Sequence, residues 1–234
     1  MKRNGIYSLL CTATAPAWAL SIAPAPLASA AACPDVEVVF ARGTTEPPGV
    51  GGIGESFVDS LRSRVGGKSI GVYPVDYPAT TDFPTAMEGI QDAGTHVESM
   101  ASRCPGTQMV LGGYSQGAAV MGFVTATEVP DGTRSVMKVP QPMPAEVSNH
   151  VAAVALFGKP SEQFMNVIDQ PPVTVGRLYA TKTIDLCVQN DPICSGAGDF
   201  SAHGQYVQTG MVSQAADFAA SRVQTVPAMA PRRR

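Results

Sequence analysis

Residues 151–157 read VAAVALF, seven consecutive apolar side chains with no polar face. A strand of that kind must be covered on both sides. It therefore belongs inside a parallel sheet packed between helices, not in an antiparallel sheet with one wet face. The chain repeats the theme. Residues 36–41 (VEVVFA), 70–75 and the short 109–111 read as further buried strands, with a weaker one over 178–184. Between them, apolar residues recur every three or four positions. Ile53, Phe57, Val58, Leu61 and Val65 mark one helix over 53–65. Met87, Ile90, Ala93, Val97 and Met100 mark another over 85–103. Helical character returns over 118–127 and in a closing helix over 206–223. Strand–helix–strand order of this sort, with right-handed connections, predicts a single α/β domain with helices on both faces of the sheet. The composition, 44% hydrophobic and 15% charged, supplies a large core and excludes a disordered chain. A formal net charge of −3 leaves no basic face for nucleic acid.

The first residues have a different logic. Lys2 and Arg3 precede an uncharged stretch over 4–34 that is rich in Ala and Leu. Ala28-Ser29-Ala30 and Ala30-Ala31-Ala32 both fit a small-x-small cleavage site. A retained membrane anchor is disfavoured by Pro16, Pro24 and Pro26 inside the stretch. A lipoprotein signal ending at Cys33 is disfavoured by Ala30, which stands where a leucine is usual. Residues 1–32 are therefore expected to be a secretory signal peptide, residues 33–226 the folded domain, and 227–234, ending in three arginines, a solvated disordered tail. Export would remove Cys11 and leave Cys33, Cys104, Cys187 and Cys194, an even number that suggests two disulfides with three possible pairings.

The sequence GGYSQG at 112–117 brackets Ser115 with glycines at minus two and plus two. The spacing alone is a weak signal in a glycine-rich chain. Its position is informative: it follows a buried strand and precedes a helix, the setting of a nucleophile elbow. The turn is tight enough that a Cβ at 113 or 117 would clash, and the helix N-terminus favours a developing oxyanion. The competing reading is an ordinary serine N-cap. A serine nucleophile needs a base, and the chain holds three histidines. His96 precedes the serine inside a predicted helix, against the order Ser, acid, His. His150 precedes strand 151–157 and so lies at the amino ends of the strands, the edge opposite the elbow. His96 and His150 read as surface or helix-face residues, and His203 remains as base. Asp185, Asp191 and Asp199 could each orient it. Asp191 is favoured because it lies between Cys187 and Cys194, in an eight-residue loop that a disulfide would close, contributing about 2.5 kcal/mol in the loop-entropy model. Asp185 is second. The Gln116 N–H supplies one oxyanion donor, and a second is expected from the loop 41–46 after the first strand.

With FARGTTE at 40–46, GGYSQGAAV at 112–120 and CVQNDPIC at 187–194 followed by His203, the chain resembles the cutinase family of serine esterases over essentially the whole domain, especially the secreted cutinase-like proteins of mycobacteria. The resemblance implies an α/β-hydrolase fold with a central parallel sheet of about five strands, helices on both faces and no lid. It implies Ser115 as nucleophile, His203 as base and Asp191 as acid, with Thr44 and Gln116 forming the oxyanion hole. Threonine at 44 replaces the serine common in fungal members. The same resemblance implies the pairings Cys33–Cys104 and Cys187–Cys194.

The expected protein is a secreted, extracellular or cell-wall-associated carboxylic ester hydrolase. It would act on short- to medium-chain acyl or lipid esters, with cutin-like polyester among the candidates. It would need no cofactor or metal, be a monomer, and touch lipid or cell-envelope surfaces only transiently. Apolar residues within 77–83 and 193–200 could contact acyl chains or merely anchor their loops. Activity should fall in acid as His203 takes up a proton. Acetylxylan esterase and acyl transfer are the enzymatic alternatives, and a non-catalytic surface protein on a retained fold is the alternative of another class.

Overall fold

Five parallel strands form the sheet, in the order β2-β1-β3-β4-β5. They are β1 (Val36–Ala41), β2 (Ile70–Pro74), β3 (Gln108–Tyr114), β4 (Val151–Phe157) and β5 (Thr183–Leu186). The computed structural model describes residues 32–127 and 140–225. The expected signal segment (all but residue 32) and the arginine tail lie outside them.

Every residue of β1 and β4 is buried, including Glu37, the one polar side chain of the two strands. Helices α1 (Gly51–Arg62) and α8 (Met211–Thr225) cover one face, around Phe40, Phe57 and Phe157. Phe57 and Phe157 meet edge to face with ring centroids 5.7 Å apart. On the other face, α2 (Ala86–Arg103) and α3 (Gln116–Val124) pack Ile90, Val97, Val120 and Met121 onto Val39, Leu111 and Val154. Four short helices, α4 (Glu162–Val167), α5 (Arg177–Ala180), α6 (Pro192–Ser195) and α7 (Phe200–His203), occur in the connections after β4 and β5. Because all strands are parallel, the loops after β1, β3, β4 and β5 emerge at one carboxyl edge.

Among the elements whose bounds differ from the sequence expectation, three show the physical reason. Residues 178–180 belong to the helical turn α5, closed by the Tyr179 and Ala180 N–H groups donating to the Gly176 carbonyl, and β5 starts only at Thr183. A short apolar run cannot by itself distinguish a strand from a buried turn. The last helix starts at Met211, five residues late, because Gly210 at φ +78° separates it from a turn that sends Tyr206 into the interior. Helix α3 begins at Gln116, two residues early, and ends at Val124, where Thr125 bonds its hydroxyl back to the Met121 carbonyl.

The two expected disulfides, Cys33–Cys104 and Cys187–Cys194, are present. The first ties the chain entering β1 to the end of α2 across 71 residues of sequence, worth about 4 kcal/mol against the unfolded chain.

Candidate active site

The elbow has the geometry that its crowding demands. Ser115 has φ +55° and ψ −117°, a strained backbone for a residue with a side chain. A Cβ on Gly113 would lie 2.2 Å from the Gly117 carbonyl oxygen, so the two arms of the turn nearly touch. A Cβ on Gly117 would lie 2.0 Å from the Ala41 carbonyl oxygen, so this glycine lets the elbow abut β1. Gly117→Ala is expected to destabilise the fold by about 1–3 kcal/mol through overpacking, seen as a lower urea midpoint at unchanged slope.

Ser115 occupies the N-cap position of α3, and its carbonyl accepts the Ala118 and Ala119 N–H groups. Its hydroxyl does not cap the helix. Ser115 Oγ instead lies 2.8 Å from His203 Nε2. On the other side of the ring, His203 Nδ1 lies 2.7 Å from Asp191 Oδ2. The serine from the end of β3, the aspartate after β5 and the histidine of α7 thus form one continuous line. In the tautomer with its proton on Nδ1, His203 donates to Asp191 and accepts from Ser115.

Asp191 is fully buried and multiply held. Its Oδ1 accepts the Ile193 N–H at 3.0 Å, capping α6, with Pro192 at the first helical position. Its Oδ2 also accepts the Tyr206 hydroxyl at 2.5 Å. Burial, reinforced by that bond, pushes the Tyr206 phenol well above its ordinary range, so it stays a donor. The Cys187–Cys194 bridge closes the loop around Asp191. Gly158, at φ +61° just past β4, makes room: a Cβ there would sit 2.7 Å from Tyr206 Oη and 3.2 Å from Asp191 Oδ2.

The imidazole rests on Tyr114, whose ring stacks against it with centroids 4.9 Å apart and whose hydroxyl donates to the His203 carbonyl at 2.8 Å. Thr44, Ser115, Gln116 and His203 line one cavity of about 1060 Å³. The loop carrying Thr44 is built from below. The Glu46 carboxylate accepts the Gly43 N–H at 2.6 Å and the Gly52 N–H, in the first turn of α1, at 2.9 Å. Buried Arg42 donates to the carbonyls of Glu46 and Tyr77, and Tyr77 returns its hydroxyl to the Arg42 carbonyl. Gln116 donates its side-chain amide to the Thr80 carbonyl, joining the elbow to the loop after β2.

The other candidates stand apart. Asp185 pairs with Lys159 at 3.4 Å, and burial raises its carboxyl against the pull of that lysine. Asp199 caps α7 by accepting the Ser201 N–H. His150 ends the turn before β4, at the opposite edge. His96 is no plain surface residue: it stacks on Tyr73 with centroids 3.5 Å apart and faces Glu37. Of the flanking loops, Tyr77 and Ile193 are buried, and Phe83, Ile193 and exposed Phe200 line the cavity. Sequence reasoning misses Tyr206, Tyr114 and Glu46. The one available signal for Tyr206 is a tyrosine three residues after the candidate base, and it reads there as the start of a helix.

Residues 32–223 match the family model described as Cutinase. The chain is 62% identical over 169 residues to a probable carboxylesterase, Culp5, of Mycobacterium tuberculosis, covering 72% of this chain and 96% of that one. It is 49% identical over 204 residues to a phospholipase, Culp4, of the same organism, covering 87% and 85%. Among solved structures, an acetylxylan esterase superposes with a TM-score of 0.68 at 26% identity, over 82% of this chain and all of that one.

Proposed function

The chain belongs to the cutinase family and is a serine carboxylic ester hydrolase, and from that premise we propose that Ser115, His203 and Asp191 carry the reaction through an acyl-enzyme. Ser115 Oγ attacks the ester carbonyl carbon as His203 Nε2 takes its proton. The carbonyl oxygen becomes an oxyanion held by the Gln116 N–H and by Thr44. The tetrahedral adduct collapses, and the leaving alkoxide takes the proton back from His203. Water then repeats the sequence on the acyl-enzyme and releases the acid. Asp191 keeps His203 in the tautomer with Nε2 free and stabilises the imidazolium. The observation that carries this reading is the Ser115 hydroxyl: at an N-cap position it forgoes the cap and turns to the imidazole.

Tyr206 is a positioning residue in this scheme. Tyr206→Phe removes one of three hydrogen bonds to the Asp191 carboxylate while the ring still fills its site. The expected result is a fall in kcat of roughly ten- to a hundredfold with KM nearly unchanged, since hydrogen bonds to charged groups contribute roughly 1.5–3 kcal/mol. A Phe variant with wild-type kcat contradicts the role.

The substrates on this reading are acyl or lipid esters, a class supported by the phospholipase relative. Removal of acetyl groups from xylan is the second reading, favoured by the acetylxylan esterase likeness. Steady-state rates on acetylated xylan against butanoate and longer esters separate the two: faster turnover of the longer esters supports the first, and activity confined to acetyl groups supports the second. We place the protein outside the cell as a monomer that meets lipid surfaces transiently. The signal-like leader, the two disulfides and exposed Phe200 beside the cavity support this placement. Among the described residues, no helix is long and apolar enough to cross a membrane.

A further inference from the structure

Thr44 lies in a loop, and a loop by itself does not hold a donor as firmly as a helix or a strand does. Here the residues on both sides of Thr44 are pinned. The Gly43 N–H donates to Glu46 Oε2 at 2.6 Å, and the Thr45 N–H donates to the Ala79 carbonyl at 2.6 Å. Among the described residues, none accepts the Thr44 N–H, so an unpaired donor stands between two bonded ones. The Gln116 N–H, first in α3, is a helix-end donor with no partner inside its own helix.

The Glu46 carboxylate links this loop to rigid structure. Its Oε1 accepts the Gly52 N–H at 2.9 Å, in the first turn of α1, whose own N-cap residue Val50 offers no side-chain bond. One oxygen thus caps a helix of 12 residues while the other holds the residue before Thr44. The chain from Glu46 to α1 is stiff, because Pro47 and Pro48 have fixed φ. Gly51, at φ +71°, admits the carboxylate: a Cβ there would lie 2.2 Å from Glu46 Oε2. From the other side, Tyr77 donates its hydroxyl to the Arg42 carbonyl. Burial, with the Glu46 charge adding to it, pushes the Tyr114 phenol above its ordinary range, so the field of the carboxylate reaches the ring on which His203 rests.

Building on the triad and oxyanion reading, we propose that Glu46 is a positioning residue for ester hydrolysis, which transmits the fixed place of α1 to the oxyanion donor at Thr44. Its two oxygens are both needed. Glu46→Gln keeps the size of the side chain but has one acceptor oxygen. Its NH₂ faces either the Gly43 N–H or the Gly52 N–H, donor against donor, so the loop or the helix cap is released. The lost charge has opposed effects, since a carboxylate favours the imidazolium and disfavours the oxyanion. A change in rate therefore reports position.

Deleting an oxyanion donor lowers kcat by roughly 10²–10³, and displacing one should lower kcat/KM for butanoate esters by roughly ten- to a hundredfold. Phenylboronic acid supplies a readout that a purely structural role does not move. Its boron takes an electron pair from Ser115 Oγ, the serine proton passes to His203, and the tetrahedral boronate sets an oxygen where the oxyanion forms. Its dissociation constant should rise in Glu46→Gln by about the same factor as kcat/KM falls, both measured below the onset of unfolding. Tyr77→Phe removes only the hydroxyl on the Arg42 carbonyl and should move both readouts the same way by about fivefold. It carries the test if the Gln variant does not fold. Boronate binding weakened in these variants supports the positioning role even if no ester is hydrolysed, which would sink the esterase reading alone. Ester hydrolysis by the wild type, with boronate affinity unchanged in every variant that folds, overturns the positioning role and leaves the esterase reading standing.

Discussion

Ser115→Ala should lower kcat for ester hydrolysis by four to six orders of magnitude while the protein unfolds at nearly the wild-type temperature. The magnitude follows from what is lost. Without Oγ no acyl-enzyme forms, and only oxyanion stabilisation and binding remain, which in serine hydrolases leave a residual of roughly 10³–10⁴ over water. Stability should be retained because the hydroxyl does not cap α3, so its removal exposes no orphaned helix N–H. Alanine inherits the strained backbone at φ +55°, which the Ser115 N–H bond to the Phe157 carbonyl and the glycines around it still hold. Far-UV circular dichroism, a thermal melt and ester turnover on one preparation decide the matter. A folded variant with more than a few per cent of wild-type kcat contradicts the assignment.

Asp191→Asn should be nearly as damaging, with kcat down about 10⁴-fold as for the corresponding change in well-studied triads. The two carboxylate oxygens of Asp191 receive three donors: the Ile193 N–H at Oδ1, and His203 Nδ1 with the Tyr206 hydroxyl at Oδ2. An asparagine has one acceptor oxygen to offer. With that oxygen kept at the Oδ2 position, its NH₂ faces the Ile193 N–H, donor against donor. With the amide flipped, the NH₂ faces His203 and Tyr206. His203 must then accept at Nδ1 and carry its proton on Nε2, where it can no longer take the serine proton. The helix α6 cap and the catalytic tautomer therefore cannot both survive. Some stability is lost as well, because Asp191 is fully buried and an unpaired donor there costs about 1–3 kcal/mol. Turnover above one per cent of wild type in a folded Asn variant contradicts the role given to the carboxylate.

Much of this arrangement is legible in the residue pattern, for definite reasons. Strands such as 151–157 are apolar throughout, and buried parallel strands must be. Helices α1 and α2 show their period because one face meets the sheet and the other meets water. The serine is legible because its turn needs glycines, and the base because only three histidines exist and the fold assigns two of them elsewhere. Failures occur where tertiary contacts outweigh local pattern. Residues 178–180 favour a strand, yet Tyr179 turns into the core through a single helical turn. Tyr206 reads as a helical position and becomes a support of Asp191 only when the turn at 206–210 folds beneath it. The Glu46 carboxylate bonds to backbone N–H groups, which no side-chain pattern records.

The claim on which everything else rests is that Ser115 is the one hydroxyl activated by His203. A fluorophosphonate probe tests it directly, because such a probe phosphonylates an activated serine and the site of attachment can be mapped by peptide mass spectrometry. The expected result is a single adduct on the peptide containing Ser115, at one equivalent per chain, absent in Ser115→Ala and strongly slowed in Asp191→Asn. Hydrolytically active protein that takes up no probe, or carries it on another residue, would contradict the account.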